Sequence, residues 1–273
     1  MKQPKGAKAY PELTAAAAHW RYTPPADALT GRNLVVTGAG DGIGAVAAKT
    51  FASFGANVIL VGRTREKLEA VFDWIEANTD TQAVIVPCDL EHLGEDALTA
   101  LHDAVSDTYG QLHGLLHNAS RLGPRVPLAH YATDEWMRVM QTNVNAPFLL
   151  TKTLFDLLDK PSHSCIINTA SGVGRQARAY WGAYAVSKFA TEGFSALLAD
   201  ETEHAGRIKV YSVNPGGTRT RMRNAAYPNE DPATVPAAEA HMDLYLYLMQ
   251  GPTGDITLPP TGSQLEARNW QGP

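Results

Sequence analysis

From Asn33 onward, short runs rich in apolar and β-branched residues alternate with longer segments of helical periodicity. NLVVT is followed by a helical stretch to Phe54, NVILVG by TREKLEAVFDWIEA, and AVIVPCD by a helical stretch to Tyr109. This alternation predicts βαβ units, which place parallel strands in one sheet with helices on both faces. Because no internal boundary or repeat interrupts the pattern, the sequence predicts one α/β domain of the doubly wound Rossmann type, spanning residues 29–273.

The same alternation continues toward the C-terminal part of the chain. LHGLLHN, SCIINTA and IKVYSVN are the fourth, fifth and sixth predicted strands, and long helices are predicted at about 134–158 and 180–204. A segment rich in Pro, Gly and Asn, residues 215–236, precedes a last helix near 239–249, and we expect it to form a mobile substrate loop. DITL, residues 255–258, is a candidate for a further short strand.

Composition and charge narrow the class of partner. Of 273 residues, 44% are hydrophobic and 19% charged, which excludes disorder along the whole chain. With 23 Lys and Arg against 28 Asp and Glu, the net charge of -5 argues against nucleic acid and favours a small-molecule partner. The two cysteines, Cys88 and Cys165, lie in predicted strands and supply neither a disulfide framework nor a zinc cluster, so no metal site is predicted.

No membrane partner is expected, because the sequence has no run of 18 apolar residues. The apolar stretch Ala15 to Ala18 is too short for a signal sequence, which predicts a cytoplasmic protein. Residues 1–28 lack sustained periodicity and are predicted as a flexible arm, solvated or draped over another subunit. Contact of its basic residues with nucleic acid is the weaker alternative.

The turn after the first predicted strand carries a cluster of glycines, Thr37-Gly38-Ala39-Gly40-Asp41-Gly42-Ile43-Gly44. Glycines at a strand-to-helix turn let the backbone approach a pyrophosphate, whose charge is stabilised by free N–H groups of the helix N-terminus. The usual G-x-G-x-x-G spacing fails because Ile43 stands where its last glycine should be. A dinucleotide site is predicted here, and glycines that serve packing alone are the alternative.

The end of the second predicted strand indicates which dinucleotide is bound. Proteins that select NAD place a carboxylate about twenty residues after the glycine turn, where it accepts from the ribose 2′-hydroxyl. This chain has Arg63 there, and a guanidinium suits a 2′-phosphate, so NADP(H) is favoured over NAD(H). Two observations oppose this: Asp41 would repel the phosphate unless it points away, and Arg63 and particularly Arg65 also fit a solvated helix start.

A tyrosine and a lysine that follow the fifth predicted strand form a candidate acid/base pair. Tyr184 and Lys188 are four residues apart, so on a helix they share one face. A phenol has a pKa of about 10, too high for fast proton exchange at neutral pH, and a neighbouring ammonium lowers it. Such pairs also occur as surface contacts, so the position in the fold decides between the two interpretations.

Together these motifs resemble the short-chain dehydrogenase/reductase family, over about Leu29 to Leu258. The following occur in the family's order: the TGxxxGIG turn, Asp89, Asn118-Ala119, Ser171, Tyr184 and Lys188. Within the family, the stretches GVGRQARAYWGAYAVSKFATEGF and VNPGGTRTRMR look most similar to the bacterial YciK-type oxidoreductases.

The resemblance implies four catalytic residues. Tyr184 is the general acid/base, and Lys188 lowers its pKa and hydrogen-bonds the nicotinamide ribose. Ser171 hydrogen-bonds the substrate oxygen. Asn143 matches the family asparagine that helps to hold a proton-relay water near the lysine, and an amide satisfied by backbone groups is the alternative.

The resemblance also implies the cofactor contacts. Asp89 and Leu90 match the positions that contact adenine, and Asn118 and Ala119 those that line the adenosine ribose, next to Ser120, where the family often has glycine. The segment from Pro215 to Thr220 matches the one that holds the nicotinamide carboxamide. The complete predicted cofactor set is Thr37, Gly38, Gly40, Asp41, Gly42, Ile43, Gly44, Arg63, Asp89, Leu90, Asn118, Ala119, Tyr184, Lys188, Pro215, Gly216, Thr218 and Thr220.

The predicted function is that of an enzyme: NADP(H)-dependent hydride transfer between nicotinamide and a carbonyl/alcohol pair, with Tyr184 as acid/base. A non-catalytic NADP(H)-binding sensor or scaffold of the same fold is the alternative, and the intact catalytic positions argue against it. An anionic substrate is one interpretation of five nearby arginines, although ion pairs or solvation explain them better: Arg175, Arg178, Arg219, Arg221 and Arg223.

Trp181 and Met222 are candidates to line the substrate pocket. As in relatives, we expect a homotetramer, or a homodimer, formed by packing of the fourth and fifth predicted helices, at about 134–158 and 180–204. Small and apolar residues of the fifth helix permit close packing: Ala185, Phe189, Ala190, Gly193, Phe194 and Leu197.

Overall fold

A computed structural model describes residues 10–254 and 256–273. Seven parallel strands form one sheet in the order β3-β2-β1-β4-β5-β6-β7. The strands are β1 Asn33–Thr37, β2 Asn57–Gly62, β3 Ala83–Pro87, β4 Gly114–His117, β5 Ser164–Thr169, β6 Ile208–Asn214 and β7 Gln264–Glu266. The chain moves outward from β1 through β2 to β3 and then crosses to β4 on the other side of β1. This reversal creates the crevice at which doubly wound proteins bind ligands.

Helices cover both faces of the sheet, so the central strands are buried along their whole length. In β1, Leu34 and Val36 pack into one core and Val35 into the other, as the two-residue alternation of a strand requires. The helices are α1 Pro11–Ala17, α2 Gly42–Ser53, α3 Arg65–Asn78, α4 Glu95–Tyr109, α5 Thr133–Met140, α6 Ala146–Leu158, α7 Gly182–Glu203, α8 Arg221–Ala226 and α9 Met242–Met249.

The predicted doubly wound sheet and its first six strands are confirmed, with two local differences. The long helix predicted at 134–158 is interrupted by a π-helical turn, Gln141–Asn145. The strand expected at DITL is wrong: residues 256–258 form no strand, and β7 instead pairs with residues 212–214 of β6. In this segment two backbone carbonyl oxygens accept hydrogen bonds from tyrosine hydroxyls and not from a neighbouring strand. Tyr247 donates to the Thr257 oxygen at 2.5 Å, and Tyr211 donates to the Pro259 oxygen at 2.9 Å.

The expected flexible arm is wrong for residues 10–28, and residues 1–9 lie outside the described residues. α1 buries Leu13, and three polar groups bind the region around α9. The Tyr10 hydroxyl donates to Glu239 at 2.8 Å, the Arg21 N–H to Asp243 at 3.0 Å and the Tyr22 hydroxyl to Gln250 at 2.9 Å. These contacts come from two tyrosine side chains and one backbone N–H, isolated groups that leave no periodic pattern in the sequence.

The docking of α1 predicts a measurable loss of stability in Leu13→Ala. Leu13 is 2% exposed, and truncating a buried leucine costs about 2–5 kcal/mol in general. We expect the free energy of unfolding, measured by urea denaturation, to fall by about 2 kcal/mol or more on that scale. Leu128→Ala is the matched control, because Leu128 is 66% exposed. Equal and small effects of both substitutions would mean that the segment is loosely held in solution.

Within the described residues, no helix combines the length and apolarity needed to cross a membrane.

Candidate active site

A cavity of about 410 Å³ opens at the carboxyl ends of the central strands, where the fold places its crevice. Its lining contains most of the predicted site residues, both those expected at the phosphate end of the cofactor and those expected at the nicotinamide end. Those that line it are Gly38, Gly40, Asp41, Gly42, Ile43, Arg63, Asp89, Leu90, Asn118, Ala119, Ser171, Tyr184, Lys188, Pro215, Gly216, Thr218 and Thr220. Three predicted residues, Thr37, Gly44 and Asn143, do not line this cavity.

The glycine turn combines close packing with an open cradle. A Cβ at Gly44 would lie 2.2 Å from the Gly38 carbonyl oxygen, so α2 can approach β1 only with glycine there. At Gly40 a Cβ would lie 2.9 Å from the Lys67 Cβ and would fill the gap between the turn and α3. α2 begins at Gly42, and the first N–H groups of a helix have no partner within it. The turn therefore fits the pyrophosphate of a dinucleotide, while Gly44 serves packing.

Thr37 positions the site without lining the cavity. Its hydroxyl donates to the Leu116 carbonyl at 3.2 Å and accepts from the N–H groups of Asn118 at 3.0 Å and Ala119 at 3.1 Å. The end of β1 is thereby tied to the residues that follow β4. Thr37 thus acts on the site through these residues, and its predicted direct contact with the cofactor stays a prediction.

Lys67 compensates the acidic residue of the glycine turn. Its ammonium lies 2.5 Å from the Asp41 carboxylate, and this hydrogen bond holds the pKa of Asp41 below its ordinary value. Lys67 lines the cavity together with Arg63. Arg65 is directed elsewhere, since it pairs with Glu69 at 2.9 Å on the outer face of α3. The repulsion expected from Asp41 is therefore offset. Sequence reasoning missed Lys67, although its place in the first turn of α3 was a usable signal.

Tyr184, Ser171 and Lys188 meet at the other end of the cavity. Tyr184 is 8% and Lys188 4% exposed. The Lys188 Nζ donates to the Thr169 carbonyl oxygen at 2.7 Å and lies 5.6 Å from the centre of the Tyr184 ring. Burial lowers the pKa of Lys188 to about 8, against a smaller opposing effect of the Glu192 charge. The predicted pair is thus a buried constellation and not a surface contact.

Burial and one hydrogen bond set the pKa of Tyr184 in this structure, and the predicted lowering of that pKa by Lys188 stays a prediction. Burial raises the pKa of Tyr184 above its ordinary value, and the group that lowers it is the neighbouring Ser171 hydroxyl. The Lys188 ammonium is held by Thr169, so its direct bond goes to a backbone oxygen and not to the phenol. This protein keeps Tyr184 as a protonated phenol, ready to give its proton to an acceptor.

Arg175 lies in a partly buried ion-pair network and does not line the cavity. Its guanidinium donates to Glu192 at 2.7 Å and also binds Glu266 on β7. The Asn214 amide donates to Glu266 at 2.8 Å, and its oxygen accepts from the Gly216 N–H at 3.0 Å. The network therefore joins α7, one turn beyond Lys188, to the predicted nicotinamide loop.

The loop after β6 is partly helical. Thr218 is buried, and Thr220 caps α8, because its hydroxyl accepts from the Arg223 N–H at 3.1 Å. Thr220 also lines the cavity, and because the cap uses its oxygen as an acceptor, its O–H, 3.4 Å from the Thr218 carbonyl oxygen, is compatible with the predicted donation to the carboxamide.

Asn143 lies in the π-helical turn, and its side chain is satisfied by protein groups. Its amide donates to the Arg121 carbonyl and to the Ser187 hydroxyl, both at 2.9 Å, and its oxygen accepts from the Arg121 N–H at 2.7 Å. This is the alternative interpretation stated for the residue. Asn143 and Lys188 line a second cavity of about 20 Å³, a volume that holds one water molecule. The Asn143 side chain therefore positions Arg121, in the loop after β4, beside this small cavity.

The depressed pKa of Lys188 predicts a pH-dependent stability. The folded protein releases this proton at about pH 8, whereas the ordinary value is 10.5. Between these values the unfolded chain binds more protons, so stability rises with pH across this window. Urea unfolding at pH 7.5 and 9.5 is expected to show a gain about 1–2 kcal/mol larger in the wild type than in Lys188→Met. The exposed Lys152→Met is the control and should keep the wild-type gain; a gain retained by Lys188→Met would contradict the shift.

Comparison with known proteins agrees with the geometry. The short chain dehydrogenase family model matches residues 32–231. The uncharacterized oxidoreductase YciK of Escherichia coli K12 is 44% identical over 252 residues, which cover 92% of this chain and 98% of the relative.

Two crystal structures of short chain dehydrogenases are also 44% identical. One, from Escherichia coli CFT073 and complexed with NADPH, matches with a TM-score of 0.85 over 90% of this chain and all of that one. The other, from Shigella flexneri 2a and complexed with NADP, matches with a TM-score of 0.84 over 89% of this chain and all of that one. The expected likeness to YciK-type proteins is confirmed, and the chain belongs to the short-chain dehydrogenase family.

Proposed function

We propose that this protein is an NADP(H)-dependent oxidoreductase that reduces a carbonyl group to an alcohol. The observation that carries the proposal is one cavity with a phosphate-binding end and an acid/base end. Arg63, Lys67 and the glycine turn line the first, and Ser171 and Tyr184 the second. The two relatives crystallised with NADPH and NADP support the choice of cofactor.

The residues present suit each part of the dinucleotide. The N-terminus of α2 would hold the pyrophosphate, and Arg63 and Lys67 the 2′-phosphate. The predicted set implies that Asp89 and Leu90 contact the adenine. When bound, the nicotinamide supplies the hydride. The protein's part is to hold the carbonyl compound and to deliver one proton to its oxygen.

The proton comes from the Tyr184 phenol. As the carbonyl carbon gains the hydride, its oxygen takes the phenolic proton, and Ser171 donates a hydrogen bond to the same oxygen. Tyr184 is left as a phenolate, whose charge the Lys188 ammonium stabilises at short range. Lys188 then gives a proton to the phenolate and regains one from solvent by way of the small cavity that it borders, so the reaction consumes one solvent proton in all. The products are an alcohol and the oxidised cofactor, and the enzyme returns to its starting protonation state.

The test is turnover under two cofactors. The purified protein is incubated with a panel of aldehydes and ketones, and oxidation of NADPH or NADH is followed by absorbance at equal concentrations. We expect reduction with NADPH and a kcat/KM at least about tenfold lower with NADH, one charged hydrogen bond to phosphate being worth that much. Tight NADPH binding without turnover of any carbonyl or alcohol would favour the sensor or scaffold alternative.

We further propose that the protein is a homotetramer, or a homodimer, assembled through α6 and α7. The outer faces of these helices expose large apolar side chains, a pattern that marks interaction sites. They are Phe148 and Phe155 on α6, and Val186, Phe189 and Leu197 on α7. Gly193 is exposed on α7 as expected for close packing, whereas Ala185 is buried inside the subunit.

Sedimentation equilibrium tests the assembly. The wild type is expected at a mass of two or four chains at micromolar concentration. Phe189→Glu, which places a charge on the exposed apolar face of α7, is expected to lower that mass. A mass of one chain for the wild type would contradict the proposal.

A further inference from the structure

A third apolar cluster, separate from the two main cores, lies at the Tyr184 end of the cavity. It is built from four segments: the loop after β4, the turn after β5, the start of α7, and α8 with the residue that follows it. Besides Tyr184 itself, its members that also line the cavity are Leu122, Trp181, Met222, Ala226 and Tyr227. These five side chains form an apolar wall beside Tyr184, and two of them are aromatic. The expectation that Trp181 and Met222 line the pocket is confirmed.

Ring contacts and a cation–π contact with Arg125 fix the positions of the aromatic members. The Trp181 ring centre lies 5.8 Å from that of Tyr184 and 5.9 Å from that of Tyr227. The Arg125 guanidinium lies 4.7 Å from the Trp181 ring centre and 5.2 Å from that of Tyr227, and it also donates to the Ala226 carbonyl. Such cation–π contacts stabilise ring positions. The rings thus form a fixed wall, and Arg125 is not among the residues that line the cavity.

Two of the arginines that line the cavity, Arg121 and Arg223, have carboxylate partners at hydrogen-bond distance, and a third, Arg221, lies 4.0 Å from Asp41 of the glycine turn. Arg223 donates to Glu230 through two nitrogens, both at 2.6 Å, and stacks 3.8 Å from the Tyr227 ring centre. Arg121 binds Glu135 at 2.8 and 2.9 Å and Glu91 at 3.2 Å. A substrate carboxylate would have to displace one of these partners and leave it unpaired, which is costly next to an apolar surface.

We propose that the substrate is an uncharged, largely apolar carbonyl compound with a flat, aromatic-like body that stacks against Trp181 and Tyr227. This inference rests on the proposed function, because it takes Ser171 and Tyr184 as the residues that face the reacting oxygen. A flat apolar body fits the wall because aromatic faces favour offset or tilted ring contacts. The paired arginines add discrimination against anions and do not bind the substrate themselves.

The first experiment compares two aldehydes that differ in one charge, methyl 4-formylbenzoate and 4-formylbenzoate, with NADPH and the wild-type enzyme. We expect kcat/KM at least about tenfold higher for the neutral ester, since burying an unpaired carboxylate is unfavourable. Trp181→Leu is expected to lower kcat/KM for the ester about tenfold or more while the Kd for NADPH changes little. Trp74→Leu is the matched control, because Trp74 lies on α3 and is not among the residues that line the cavity. An equal or higher kcat/KM for the carboxylate would overturn the proposal.

A second measurement separates this inference from the proposed function. Methyl benzoate and benzoate, which cannot be reduced here, are titrated calorimetrically into the protein saturated with NADPH. Binding of the ester alone supports the substrate class even if no aldehyde is turned over, in which case only the proposed reaction fails. Binding of benzoate at equal or higher affinity, or of neither compound, overturns the substrate class even if some other carbonyl compound is reduced.

Discussion

A Tyr184→Phe variant is expected to lose turnover, with kcat falling roughly 100- to 10,000-fold, the range that one general acid typically contributes. The phenol supplies the only proton that the proposed reaction delivers to the substrate oxygen. Phenylalanine fills the same buried space beside Trp181, so the fold and the cofactor end of the cavity should be retained. Steady-state oxidation of NADPH measures the loss, and fluorescence titration measures the Kd for NADPH, which should change less than about threefold.

Tyr180→Phe is the matched control for this variant. Tyr180 precedes α7 and its side chain is 56% exposed, so removing its hydroxyl should leave kcat and Kd unchanged. If Tyr184→Phe keeps most of the wild-type turnover, Tyr184 is not the proton donor. If it loses NADPH binding as well, the loss of turnover reflects a damaged cofactor site.

Arg63→Ala is expected to raise the Kd for NADPH by about 10- to 100-fold, since a hydrogen bond between charged groups is worth about 1.5–3 kcal/mol. The Kd for NADH should change less than about threefold, because NADH lacks the 2′-phosphate that the guanidinium would bind. Parallel fluorescence titrations with the two cofactors measure both effects.

Arg65→Ala provides the comparison for that experiment. Arg65 lies two residues further along the chain and pairs with Glu69 on the outer face of α3. Its removal should leave both dissociation constants near the wild-type values, apart from a small effect of net charge. Equal weakening of NADPH and NADH by Arg63→Ala would exclude Arg63 as the residue that selects the phosphate. A wild type that prefers NADH would mean that Asp41 is not sufficiently compensated by Lys67.

The predictable part of the fold follows from periodicity. Six strands and the helices between them have apolar patterns long enough to identify from sequence. β7 has only three residues, and its position is set by pairing with Ser212 to Asn214, which no local pattern encodes. Residues 10–28 were misjudged for a related reason: Tyr10, Leu13 and Tyr22 dock as isolated anchors, so their burial depends on the surface they meet.

At the site, sequence reasoning succeeded where function is concentrated in a local motif. The glycine turn and the Tyr184 and Lys188 pair were found because their spacing carries the geometry. Lys67 and Tyr227 were missed because they reach the cavity only through the packing of α3 and the chain after α8. The effect of burial on the pKa values of Tyr184 and Lys188 was not predicted, because sequence spacing does not report burial.

The ion-pair network around Arg175 has a consequence for the order in which the enzyme is built. Its last member, Glu266, lies 52 residues after Asn214 in the chain, yet it holds Asn214 and thereby Gly216. During synthesis the N-terminal part of a chain emerges first and can begin to fold. The glycine turn is therefore synthesised early, whereas the predicted nicotinamide loop gains its support only after β7 has emerged. Synthesis thus provides the phosphate-binding end of the cavity first and the support of its other end later.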